Sequence, residues 1–135
     1  MTDSEIIIKE PRGFAGLIAN VMLPLNEKPS FKEAFKNTQR KYLFNATNLN
    51  YAALVIIDKG TLKVESVPNK PHSNLKKKVI GWDGFVSMDT QTFLALAMKR
   101  ISMMKVGLKW IFRKVKMKGI LKLLPMLKLF DLLQE

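Results

Sequence analysis

The chain has 135 residues, 47% of them hydrophobic, so it is long enough for one domain with its own core and too apolar to be disordered throughout. It has no cysteine and a single histidine, which excludes a disulfide scaffold, a thiol nucleophile and a metal site rich in cysteine or histidine. Lysine and arginine number 23 against 11 acidic residues, and the resulting formal charge of +12 favours an anionic partner such as nucleic acid, an acidic membrane surface or an acidic protein.

The N-terminal end is acidic where a secretory signal would be basic, because it reads Met1-Thr2-Asp3-Ser4-Glu5. The longest uncharged stretch, Gly13 to Asn26, is too short to cross a bilayer. We therefore expect a soluble, cytoplasmic protein in which residues 1–12 form a flexible segment and residues 13–135 form a single domain.

Two short helices are predicted next. Phe14 to Leu23 has apolar residues at helical spacing. Ser30 precedes a second helix, Phe31 to Thr38, in which Glu33 stands three residues after Ser30, as in a capping box.

The pattern then changes to that of strands. Residues 42–47 alternate between two sets of side chains, and Tyr51 to Asp58 is almost wholly apolar, as in a strand buried on both faces. Lys59-Gly60 predicts a tight hairpin into a third strand around Leu62 to Val67. These three runs, joined by short turns, predict an antiparallel meander.

The second half of the chain mixes the two patterns. We expect a bent strand over Val79 to Ser87, and a helix from about Gln91 to Met103 capped by Asp89 or Thr90. The remaining elements are a helix over 106–113, a lysine-alternating strand over 114–118 and a last helix over 120–133. This order predicts an α+β fold, with one sheet covered by helices.

The last predicted helix is apolar around most of its circumference, since Lys122, Lys128 and Asp131 are its only charged residues. Such a helix needs apolar partners on more than one side, and beyond the sheet these can be a ligand, a bilayer or another subunit. From Thr90 to Phe130 the sequence has lysines and arginines but no acidic residue. That combination suits contact with anionic lipid headgroups, although a merely solvated basic face explains it too.

Three segments of the sequence form a recognisable series. They are Tyr51 to Asp58 with the Lys59-Gly60 turn, then Val86 to Leu96 with its Met, Asp and Phe-Leu-x-Leu pattern, and finally Val115 to Gly119 followed by Leu127-Lys128-Leu129. In the order and spacing of these segments, residues from about 40 to 133 resemble the sterol carrier protein-2 (SCP-2) domain family.

The resemblance implies a five-stranded, mostly antiparallel sheet covered by helices on one side, around a hydrophobic tunnel. It also implies a non-enzymatic protein, without a cofactor, that binds and transfers a fatty acid, an acyl-CoA, a sterol or other isoprenoid, or a phospholipid. The elements that the family uses for its tunnel carry the candidate lipid-binding residues here: Phe93, Leu96, Ala97, Ile101, Met104, Leu108, Phe112, Met117, Met126, Leu127 and Phe130.

Basic residues on the same segments are candidates for holding an anionic headgroup or contacting an anionic membrane: Lys105, Lys109, Arg113, Lys114 and Lys122. We expect the C-terminal helix to close the cavity. We also expect its displacement to open the cavity, because a terminal element is the easiest to detach. The expected oligomeric state is a monomer, with a weak dimer as the alternative.

One other function remains open, and two more are considered but not expected. A protein-interaction module or regulatory partner would bury the apolar C-terminal helix against a second protein. Nucleic-acid binding is not expected, because the aromatic residues are not interleaved with the lysines. Catalysis is not expected either, since His72 lies in a Pro-flanked loop and no nucleophile elbow is present.

Overall fold

A computed structural model describes residues 6–91, together with Phe93, the backbone of 116–118, and Leu132. The other positions, which include most of the segments predicted as helices after Gln91, lie outside the described residues.

Four full strands and one short segment form a single mixed sheet. The strands are β1 (Gln39–Ala46), β2 (Tyr51–Asp58), β3 (Thr61–Pro68) and β4 (Gly84–Met88), and the segment is β5 (Lys116–Lys118). Their order across the sheet is β3-β2-β1-β4-β5. The α+β fold is as predicted, but the described residues contain four full strands rather than the five predicted, and β5 is described only over Lys116–Lys118.

Three of the four strand pairs are antiparallel, and the exception is β1 with β4, which run parallel with Phe44 opposite Val86. The predicted meander of β1, β2 and β3 is present, and its second turn is the predicted Lys59-Gly60 pair. Both turn residues have positive φ, 49° and 85°, which the right-handed twist of a hairpin favours. Gly60 suits this turn because it has no Cβ to clash there.

Two helices and a 3-10 turn cover one face of the sheet. Helix α1 is Phe14–Met22, close to its predicted bounds. A 3-10 turn follows over Leu23–Glu27, and helix α2 is Pro29–Ala34. Helix α2 begins earlier than predicted because Pro29, rather than a Ser30 cap, starts it; proline is favourable in a first turn, where no backbone donor is needed.

Because successive side chains of a strand point to opposite faces of the sheet, the core forms two clusters, one on each face. On the first face, Phe44, Ala53 and Val86 are buried with residues of α1 and α2. On the second face, Leu43, Ala52 and Phe85 are buried with Leu75 and Trp82. The prediction of helices on one side only is therefore wrong, because the chain between β3 and β4 crosses the second face and covers it.

That crossover also replaces part of a predicted strand. Instead of a strand over Val79 to Ser87, Lys77–Ile80 forms the one-turn helix α3, and Gly81 closes it with φ 78°. The strand begins only at Gly84. The β-branched residues Val79 and Ile80 suggested a strand locally, but a left-handed glycine after a short helical turn ends the turn and redirects the chain.

The edge strand β3 is covered by two other segments. Ile8 exchanges both backbone hydrogen bonds with Ser66, at 2.8 and 2.7 Å, and the Ser66 hydroxyl donates to the Glu10 carbonyl. Residues 8–12, predicted to be flexible, are thus attached to the sheet. Farther along β3, the Asn26 side chain donates to the Leu62 carbonyl and accepts from the Leu62 amide.

Candidate functional site

The first face of the sheet, covered by α1 and α2, contains Phe93, which is one of the lining residues predicted from the sequence. Alternate residues of β1, β2 and β4 point to this face, so one residue in two along each strand is available to line it. The members of this cluster that come from the sheet are Tyr42, Phe44, Ala46, Ala53, Val55, Ile57, Leu62, Val64, Val86 and Met88.

Three phenylalanines join the sheet to the elements above it. Phe93 packs edge-on against Phe14 of α1, with ring centroids 5.6 Å apart, and lies 6.2 Å from Phe44 of β1. All three rings are fully buried. Their contacts tie the start of the segment after β4 to the first face.

Residues 90 to 93 begin the predicted helix after β4. Thr90, Gln91 and Phe93 are helical, and the Phe93 amide donates to the Asp89 carbonyl. The Thr90 amide and hydroxyl both donate to the side-chain oxygen of Asn48 in the β1–β2 turn. An asparagine distant in sequence thus satisfies a donor that a helix leaves without an intrahelical partner.

Leu132 brings the C-terminal segment to the same face. It is helical, it is buried, and it belongs to the cluster that contains Phe14 and Phe93. The Lys28 ammonium donates to its carbonyl at 2.8 Å, across 104 positions of sequence. The two predicted helices most concerned with the lipid site therefore each place one described residue over the first face.

The structure describes only a few of the lining residues that the sequence predicts. Phe93 lies in the buried cluster, and the backbone at Met117 pairs with Val86. The others lie outside the described residues: Leu96, Ala97, Ile101, Met104, Leu108, Phe112, Met126, Leu127 and Phe130. The predicted headgroup residues Lys105, Lys109, Arg113, Lys114 and Lys122 also lie outside them.

The electrostatics of the first face are those of an apolar interior. Burial raises the pKa of the Tyr42 phenol to about 12; the Arg40 charge lowers this pKa and the Asp83 carboxylate raises it. The phenol therefore remains neutral at physiological pH. A buried phenol that stays neutral is compatible with the apolar residues around it in this cluster.

Two depressions open elsewhere on the described surface, and sequence reasoning missed both. One, of about 360 Å³, lies at the ends of β1 and β2 and is lined by Gln39, Arg40, Lys41, Ile56, Ile57, Asp58, Gly81 and Asp83. The other, of about 230 Å³, lies on the second face beside the crossover and is lined by His72, Leu75, Lys76, Lys77, Trp82 and Phe85. The run Lys76-Lys77-Lys78 was the sequence signal that could have indicated the second.

His72 is exposed at the start of a one-turn 3-10 helix, as expected of a loop histidine. Among the described residues, no group of three histidine or acidic side chains is placed to hold a metal ion. In the same part of the chain, none of the helices combines the length and the apolar character that a membrane crossing requires.

Comparisons with known proteins support the fold. Sterol carrier protein 2 superposes with a TM-score of 0.60 and 13% identity, over 90% of this chain and 94% of that one. The UbiJ-SCP2 ubiquinone synthesis protein gives 0.56 and 14%, over 90% of this chain and 88% of that one. The inverting sec-alkylsulfatase Pisa1 from Pseudomonas sp. gives 0.56 and 17%, over 77% of this chain but only 14% of the sulfatase.

At these identities the likeness shows the fold, which is SCP-2-like. No protein-family model matches the sequence. No curated protein matches it either.

Proposed function

We propose that the protein binds a lipid on the first face of the sheet, between the strands and the segments that contain Phe93 and Leu132, and carries it without covalent chemistry. The likeness to sterol carrier protein 2 over nearly the whole of both chains is the observation that carries the proposal. The ligand class is a fatty acid, an acyl-CoA, a sterol or other isoprenoid, or a phospholipid.

The sequence of the C-terminal segment supports the same site. Leu132 ends up in the first-face cluster, and residues 120–133 around it are apolar on more sides than the sheet alone would cover. If these residues form the helix that the sequence predicts, that helix requires a second apolar surface. A lipid held beneath it would provide one.

The physical task of such a carrier is to keep acyl carbons out of water. Exposure costs roughly 0.8 kcal/mol for each CH₂ group, so an acyl chain of about sixteen carbons faces roughly 12 kcal/mol. An apolar cavity with few polar groups removes most of that cost. The neutral, buried Tyr42 and the aliphatic strand residues of the first face are suited to this role.

The two open depressions fit this ligand less well. The larger is lined mostly by polar and charged residues, among them Arg40, Lys41, Asp58 and Asp83. The smaller is, at about 230 Å³, below the usual size of a small-molecule site. Neither could shield a long acyl chain from water.

The test is lipid extraction and native mass spectrometry of the purified protein. We expect a co-purifying lipid at up to one molecule per chain, and uptake of a fluorescent fatty acid after delipidation. A protein that carries no lipid, and that takes up neither a fatty acid nor a sterol probe, would overturn the proposal.

A further inference from the structure

The crossover between β3 and β4 concentrates positive charge on the second face of the sheet. Lys70, Lys76, Lys77 and Lys78 are all exposed. The sequence has no acidic residue between Glu65 and Asp83 to offset them. From residue 69 to residue 82 the crossover therefore carries only basic charges, and its one carboxylate, Asp83, stands at its end, where it accepts a hydrogen bond from the Lys41 amide.

The lysines are held on a well-packed support. Leu75 and Ile80, on either side of them, are buried against the sheet, and the Trp82 indole donates to the Leu75 carbonyl at 2.8 Å. The Asn74 side chain donates to the Pro68 carbonyl. The backbone that carries the lysines is thus held against the sheet, so the three side chains leave from a defined part of the second face.

Some aliphatic side chains of the same face are partly exposed. Ile6, Ile7, Ile56 and Val79 pack against the second-face cluster but are only partly buried. The second face therefore combines basic and aliphatic exposed groups. That combination matches the interface of an anionic bilayer, where charge and apolar contact both contribute to binding.

Nucleic acid fits these observations less well. Trp82 and Phe85 are 7% and 6% exposed, so neither presents a ring face on which a base could stack. The crossover has no arginine, the residue that reads phosphates and guanine in a bidentate manner.

From this arrangement we propose that the crossover, through Lys76, Lys77 and Lys78, is the surface by which the protein docks on anionic phospholipid membranes. This deepens the proposed function, on which it rests for the need to reach a membrane. The docking surface lies on the opposite side of the sheet from the proposed lipid site. The protein can therefore bind a membrane without opening that site.

The test compares vesicle binding by two matched variants. Lys76, Lys77 and Lys78 are changed to Gln in one, and Lys32, Lys59 and Lys63, which are also exposed, are changed to Gln in the other. Both variants lose the same net charge. The probes are phosphatidylcholine vesicles with and without phosphatidylserine, in a sedimentation assay, with unfolding curves to show that both variants are folded.

We expect the crossover variant to bind phosphatidylserine vesicles roughly a hundredfold more weakly, since each lysine near an anionic surface contributes roughly fivefold. The control variant should stay within about threefold of the wild type, because charges beyond a Debye length are screened. Equal losses in the two variants would overturn the proposal. So would binding to a DNA duplex that is tighter than vesicle binding and depends on the same three lysines.

The lipid content of the crossover variant separates this proposal from the proposed function. We expect its co-purifying lipid to be unchanged, because the first face is untouched. If no lipid is found in either protein but the vesicle result holds, the carrier function fails and the docking surface stands. If lipid is found but the two variants bind vesicles equally, the docking surface fails and the carrier function stands.

Discussion

Tyr42 shows how one buried side chain makes the stability of the protein depend on pH. Burial raises the pKa of its phenol to about 12, whereas the unfolded chain has the ordinary value near 10. Between these two values the unfolded state releases the phenolic proton and the folded state retains it. The contribution of Tyr42 is therefore fully present below pH 10 and is lost as the pH rises towards 12.

We predict that the free energy of unfolding, measured with urea, falls less steeply between pH 10 and pH 12 for Tyr42→Phe than for the wild type. By pH 12 the two decreases should differ by roughly 2 kcal/mol, from a shift of about two pKa units at 1.36 kcal/mol each, reduced for partial solvation. The chain has one other tyrosine, Tyr51, so ultraviolet absorbance in a Tyr51→Phe background reports Tyr42 alone. A phenol in that background that ionises near pH 10 would contradict the prediction.

Gly60 and Gly81 have similar backbone conformations but different surroundings. Both have positive φ, at 85° and 78°, but a Cβ at Gly60 would lie 3.1 Å from the Lys32 carbonyl oxygen, whereas a Cβ at Gly81 would meet nothing within 4 Å. The first glycine allows the β2–β3 hairpin to approach α2, and the second only turns the chain.

We predict that Gly81→Ala costs about 1 kcal/mol, the penalty of a left-handed alanine, and that Gly60→Ala costs about 2 kcal/mol. Urea denaturation of the two variants measures the difference. Equal costs would mean that α2 moves away from the hairpin without loss of packing.

At the scale of elements, Asn26 acts as a one-residue substitute for a neighbouring strand. Its amide pairs with both backbone groups of Leu62 on the edge strand β3, at 2.9 and 2.8 Å. Together with the Ile8–Ser66 bridge, it covers part of an edge that could otherwise pair with another molecule.

We predict that Asn26→Ala lowers the free energy of unfolding by about 2 kcal/mol, because two partly buried hydrogen bonds are lost. It should also increase self-association in light scattering at high concentration. Asn20→Ala, at an exposed position of α1, is the control and should change neither quantity. An Asn26→Ala protein as stable as the control would show that water replaces the amide at no cost.

The elements differ in how far the sequence could predict them. The β2–β3 hairpin was predictable because apolar alternation and Lys59-Gly60 are both local signals. The parallel pairing of β1 with β4 was not, because strand order depends on which surfaces the crossover can bury. The same crossover explains why Val79 and Ile80, apolar and β-branched, form a helical turn on the second face instead of a strand.

The residues of the candidate site also differ in how far the sequence could predict them. The burial of Phe93 was predictable, since it begins the apolar stripe of a predicted helix. The Lys28–Leu132 hydrogen bond was not, because it joins positions 104 residues apart. The exposed lysines of the crossover were visible in the sequence, but their common face was not.

For the whole molecule, the two faces of the sheet provide a test of where the ligand lies. Ala52 and Ala53 are neighbours on β2 and both are fully buried, but Ala53 belongs to the first-face cluster and Ala52 to the second. A larger residue at either position overpacks its own side of the sheet, at a cost of about 1–3 kcal/mol.

We predict that Ala53→Leu lowers the affinity for a fluorescent fatty acid at least tenfold, because it fills space on the lipid side. Ala52→Leu, with a comparable loss of stability, should leave the affinity within roughly twofold of the wild type. Packing on the second face is the same in the free and the lipid-bound protein, so it cancels from the binding free energy. A larger effect at Ala52 than at Ala53 would place the ligand on the second face.

The parallel pairing of β1 with β4 has a consequence for how the chain is made. When β1, β2 and β3 have left the ribosome, the inner side of β1 has no strand beside it until residues 84–88 emerge and run alongside it. Because domains fold from the N-terminal end during synthesis, the nascent sheet is bordered for that interval by an unpaired strand whose second half, Tyr42 to Ala46, is buried in the finished fold. Nascent chains arrested with residues up to 83 outside the ribosome should therefore recruit chaperones more strongly than chains arrested with residues up to 88 outside it.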